Sequence, residues 1–97
     1  MKSLPTDVPE RCFPLGQILI TPGALKALGG ADIARAIARH ALTDWGDLVE
    51  EDEAANEQAL QTGGRLFSSY RSLDEVIFWV ITEADRTVTT ILLPLEY

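Results

Sequence analysis

The sequence is poor in the residues that most often carry chemistry. It has one cysteine, Cys12, and one histidine, His40. A lone thiol forms no internal disulfide, and with no secretory pattern the expected compartment is the cytoplasm. No apolar run approaches the roughly 20 residues of a membrane helix, and the opening MKSLPTDVPERCFPLG lacks the apolar block of a signal peptide. Positive charge is scarce too. Eight Lys and Arg face 15 Asp and Glu, a net charge of −7. That balance opposes generic phosphate binding, since the chain repels nucleic acid at long range. It leaves room for a local basic pocket, for binding of a basic partner, or for imitation of nucleic acid. The phosphate-binding GxxxxGK[ST], the dinucleotide GxGxxG and the hydrolase GxSxG are all missing. No pair of histidines or cysteines exists for zinc. The acidic group Asp44, Asp47 and Glu50 to Glu53 lacks the glycine and alternating oxygen ligands of a calcium loop. No metal and no cofactor is expected.

What is present fits one globular domain. The chain has 97 residues, 46% hydrophobic and 24% charged. Residues 1–15, with Pro5, Pro9 and Pro14, read as an extended arm. Residues 16–97 read as a single α+β domain. GQILI, Gly16 to Ile20, is a short apolar run that suits an edge strand after Pro14. Thr21-Pro22 opens a brief helix, with Thr21 as cap and Pro22 at the first position. Gly29-Gly30 is expected to end it through a left-handed turn. A second helix runs from Ile33 to about Leu42, capped by Asp32 or its neighbour. On it Ile33, Ile37 and Ala41 form a stripe, and His40 sits at the stripe's edge, where the helix C-terminus favours its protonated form. Trp45-Gly46 marks an aromatic anchor at a sharp bend. Glu50 to Gln61 is a third helix, its acidic first turn matched to the positive helix end.

Three strands follow. Leu66, Ser68 and Tyr70 alternate with Phe67 and Ser69 in RLFSSYR. Val76 to Ile81 and Val88 to Leu93 form a hairpin around Glu83, Ala84, Asp85 and Arg86. The expected fold is therefore α+β, with two to three N-terminal helices packed on a three- to four-stranded antiparallel β-meander. The central strand is apolar on both sides. Val76, Phe78 and Val80 face one way; Ile77, Trp79 and Ile81 face the other. Helices cover one face. The N-terminal arm, a strongly curved sheet edge or a second subunit must meet the other.

The polar residues on or near this sheet include Arg65, Ser68, Tyr70, Thr82, Asp85, Arg86, Thr89 and Thr90. Arginines and hydroxyls on neighbouring strands suit an anion such as phosphate. With His40 as general acid or base, His40, Arg65, Tyr70, Thr82 and Arg86 are the catalytic candidates. Against this, Asp85 and Arg86 are ordinary turn residues, and Thr89 and Thr90 are ordinary strand formers.

The block ARHALTDWGDLVEEDEAANEQAL, with GGRLFSSY and WVITEADRTVTTILLPLEY, resembles a family of small uncharacterised bacterial proteins labelled plasmid-related. The likeness spans Gly16 to Tyr97. It is most specific at His40-x3-Asp44-Trp45-Gly46-Asp47, at Asn56, at Gly63 to Leu66, and in ITEADR and TTILLP. The resemblance implies an association with mobile elements but no activity. A second likeness is to microbial ribonucleases of the barnase type, through RLFSSY and ITEADR-x-x-x-T. That likeness implies a metal-independent ribonuclease or toxin. It departs at the loop position of the catalytic histidine, which matches Arg86 here, and at the glutamate base, which has no counterpart. His40 would have to act from its helix instead. The leading expectation is a non-catalytic module that binds a protein partner or itself, including a homodimer through the sheet. Asp44, Trp45, Asp47, Asn56, Asp85 and Thr89 are its candidate contact residues. The ribonuclease is the alternative, and only in that reading is nucleic acid a partner, as substrate.

Overall fold

A computed structural model describes residues 12–97, so most of the expected arm lies outside the described residues. Eight segments follow in order: β1 (Gln17–Ile20), α1 (Pro22–Ala27), α2 (Gly30–Ala41), α3 (Glu50–Thr62), β2 (Leu66–Arg71), β3 (Ile77–Thr82), β4 (Val88–Leu92) and a 3₁₀ turn (Pro94–Glu96). The architecture is α+β, with three helices before a run of three strands. Those three pair antiparallel, as expected of β-branched and aromatic runs joined by short turns. The fourth strand changes the sheet type. β1 lies at the edge beside β4 and runs parallel to it, in the order β1-β4-β3-β2. The sheet is mixed, not a pure antiparallel meander. A parallel pair needs a long crossover, and the whole segment from α1 through β3 supplies one.

Register assigns every strand residue to a face. Leu66, Ser68 and Tyr70 lie opposite Thr82, Val80 and Phe78; Val80 and Thr82 in turn lie opposite Ile91 and Thr89. All of these are buried under the helices. Here Ala24, Leu28 and Ala36 pack against Tyr70, Phe78, Val80 and Ile91. A second cluster joins Trp45, Ala59 and Leu66, with Phe13, Leu48 and Leu60 at its margin. The opposite face carries Phe67, Trp79, Ile81, Thr90 and Leu92, and no helix lies on it. Among the described residues, the 3₁₀ turn and Tyr97 approach it.

The helix ends are set by local chemistry. The Thr21 hydroxyl accepts from the Ala24 N–H at 3.3 Å and caps α1, with Pro22 at its first position. The glycine pair does not form the expected left-handed stop. Leu28 is extended, and Gly29, at φ −83°, is the N-cap of α2. Asp32 is not the cap itself. It sits in the first turn and reaches back to accept from the Gly29 N–H at 3.3 Å. Gly63 does take the left-handed conformation, φ 90°, at the end of α3.

Candidate functional site

The polar candidates separate onto the two faces of the sheet. Under the helices, His40 has no exposed surface, and the same holds for Ser68, Thr82 and Thr89. They form one chain of contacts. His40 Nδ1 lies 2.5 Å from Ser68 Oγ, and His40 Nε2 lies 2.9 Å from Thr82 Oγ1. Thr82 Oγ1 lies 2.7 Å from Thr89 Oγ1, and the Thr89 hydroxyl donates to the Leu15 carbonyl at 2.6 Å.

Proton counting fixes the direction of each bond. A carbonyl only accepts, so Thr89 must donate to Leu15. Thr82 must then donate to Thr89, because the Thr89 proton is in use. The Thr82 oxygen must in turn receive the Nε2–H of His40. Nε2 therefore carries a proton, and burial keeps the ring neutral, which leaves Nδ1 as the acceptor. In a neutral ring Nδ1 keeps its lone pair, and Ser68 donates to it. This corrects the expectation of a histidine at the edge of the stripe, charged by the helix end. Burial strips water from the ring and, with the nearby Arg86 charge, holds its pKa down at about 4. Desolvation outweighs the helix dipole. Phe13 and Trp45 close over the ring edge-to-face, at centroid distances of 5.2 and 5.8 Å.

Arg86 is occupied by backbone. Its guanidinium donates to the carbonyls of Gly64 (2.6 Å), Glu83 (3.0 Å), Ala84 (3.2 Å) and Ala59 (3.1 Å). It thereby closes the C-terminal end of α3 and ties it to the β3–β4 loop. Tyr70 donates to the Asp44 carbonyl at 2.5 Å, and burial pushes its phenol pKa up. Arg65 lies on the other side of the sheet. It pairs with Glu83 at 3.1 Å and donates to the Tyr97 hydroxyl at 2.8 Å. The five catalytic candidates thus share a sheet without sharing a cleft.

Four of the six candidate contact residues are bound up with the edge of β2. Asn56, buried on α3, donates to the Phe67 carbonyl at 2.7 Å and accepts the Phe67 N–H at 3.0 Å, as a neighbouring strand would. Two residues on, Ser69 donates to the Trp45 carbonyl and accepts from the Asp47 N–H, at 3.1 and 2.8 Å. The bend at Gly46, φ +75°, lies against this edge. A Cβ there would stand 2.0 Å from the Ser69 carbonyl oxygen. Trp45 is buried and donates to Glu57 at 3.0 Å. Asp44 pairs with Arg39 at 2.7 Å, and that hydrogen bond holds the Asp44 carboxyl below its usual range. Of the other two, Asp85 accepts from the Thr87 hydroxyl and N–H within its own turn, and Thr89 belongs to the His40 chain.

The uncovered face offers a groove of about 290 Å³ lined by Arg65, Phe67, Trp79, Ile81 and Tyr97. Trp79 stands edge-to-face against both Phe67 (5.1 Å) and Tyr97 (5.7 Å). Arg65 also lies over the Tyr97 ring at 5.8 Å. Comparison with family models, curated proteins and solved structures returns no match. Among the described residues no helix is long and apolar enough to cross a membrane. Phe67, Trp79, Ile81 and Tyr97 were not among the candidate site residues. The doubly apolar β3 was their one signal in the sequence; Tyr97 joins them only through the tertiary fold.

Proposed function

We propose that the chain is a non-catalytic protein-interaction module, with the open sheet face around Trp79 as its contact surface. The observation that carries this reading is the aromatic groove. It is an apolar groove left uncovered by the helices, while His40, Thr82 and Arg86 are engaged with the fold's own groups. The groove suits an apolar side chain as anchor. The Tyr97 hydroxyl accepts from Arg65 and keeps its own proton to donate, which suits a carbonyl beside that anchor. The net charge of −7 favours a basic partner in long-range approach. Action in the cytoplasm and association with mobile elements belong to the same reading, the latter through the motif resemblance.

A photo-crosslinker at Ile77, which is on the same face and 47% exposed, tests it in the host cell. One basic protein should be captured, and Trp79→Ser should abolish its capture while circular dichroism stays unchanged. Capture that survives Trp79→Ser, or capture of nothing, overturns the reading. Growth arrest on induction, with RNA cleavage by the purified chain, would favour the ribonuclease reading in its place.

A further inference from the structure

The two edges of the sheet are treated differently. The β2 edge is plugged at Phe67 by Asn56 and at Ser69 by the bend at Gly46. Among the described residues the β1 edge is unprotected: Gln17–Ile20 contains no charge and no proline. Gln17 and Thr21 direct their N–H groups to Thr87 and Ile91 on the β4 side. By alternation, Ile18 and Ile20 turn their backbone donors and acceptors outward. Ile18 and Leu19 are also 38% and 43% exposed.

We propose that β1 pairs antiparallel with β1 of a second copy, joining two sheets across a two-fold axis. The segment is self-complementary in the register centred on Leu19. Ile18 then lies opposite Ile20 of the second copy, and Ile20 opposite Ile18, so both outward backbone pairs are satisfied. Leu19 meets its own mate on the open face. Pro22 lacks an N–H and bounds the ladder at one end. Charge distribution favours a second copy over a basic peptide at this edge. From Phe13 to Ala31 the only charged residue is Lys26, so the acidic excess lies elsewhere in the chain. Glu96, beside the end of β1, already accepts from Thr21, Gly23 and Leu93. Because the β2 edge is plugged, pairing uses up the open edge and association stops at two. A two-fold axis normal to the sheet sets both aromatic grooves on one side of the dimer. This inference does not rest on what the groove binds.

A four-residue ladder gives a weak interface, so sedimentation equilibrium over micromolar to millimolar protein is the measurement. A monomer–dimer equilibrium is expected. Leu19→Lys sets two like charges face to face and should weaken it about a hundredfold, while Trp79→Ser leaves it unchanged. In a Cys12→Ser background, Leu19→Cys should oxidise to a covalent dimer, because the two positions lie roughly 4.5 Å apart in such a pair. Gln17→Cys should not, being roughly 13 Å from its mate. Exchange of the Ile18 and Ile20 amides should slow as concentration rises, a readout that needs no variant. A monomer at every concentration, a dimer indifferent to Leu19→Lys, or equal cross-linking of the two cysteine variants overturns the proposal.

Discussion

Acidification isolates the buried histidine. The ring is neutral when folded, with a pKa of about 4, and ordinary when unfolded, near 6.5. Above pH 6.5 both states hold it neutral, so it adds no pH dependence. Below that, the unfolded chain takes up a proton that the folded chain refuses. Unfolding is favoured increasingly until the pH reaches the folded value. The loss is about 2 kcal/mol between pH 7 and pH 5, and about 3 kcal/mol by pH 4. For a domain of this size that is a large part of the total stability. His40 is the sole histidine. The carboxylates with lowered pKa, Asp44, Asp85 and Glu96, begin to matter only as the pH nears their ordinary values of 3.8 and 4.5. The window from pH 7 to about 5 is thus dominated by His40. Urea titrations at pH 7, 6 and 5 should show the midpoint falling with an unchanged slope. His40→Gln should start less stable and stay flat across the window. A wild-type midpoint unchanged between pH 7 and 5 would refute the buried neutral ring and the hydrogen-bond directions derived from it.

Two further perturbations probe the plugged edge of β2. Asn56→Leu leaves the N–H and C=O of Phe67 without their partners, at a cost of about 2–4 kcal/mol. Amide exchange should accelerate at Phe67 more than at Val80 in the sheet centre, and uniform acceleration would count against the local role. Gly46→Ala drives a Cβ into the Ser69 carbonyl and the Tyr70 ring at a positive φ, and should cost about 3 kcal/mol or more in thermal or urea unfolding. A melting temperature within a degree of the parent would show that the bend does not lie against the strand.

The motifs behind the resemblance turn out to carry architecture. In the stretch from His40 to Asp47, His40 joins Ser68 to Thr82, the Asp44 carbonyl receives Tyr70, Trp45 fills a core cluster and Gly46 closes an edge. In ITEADR, Thr82 extends the buried chain and Arg86 ties α3 to the hairpin loop. A sequence-level reading finds such residues because they are chemically distinctive, and buried polar groups are distinctive for the same reason catalytic ones are: each needs a specific partner.

Periodicity and punctuation along the chain determined much of the fold. The alternation in RLFSSYR, the acidic start of α3, the Thr21-Pro22 cap and the doubly apolar β3 are local signals, each set by backbone geometry within a few residues. Tertiary structure decided the rest. The parallel placement of β1 depends on where the crossover from Thr21 to Thr87 returns the chain. The protonation of His40 depends on Phe13, Trp45 and Arg86 gathering around one ring. The division of His40 and Arg65 between opposite faces follows from strand register, because a shift of one residue reverses every side chain. Those quantities are distances between residues far apart in the sequence, and no local pattern contains them.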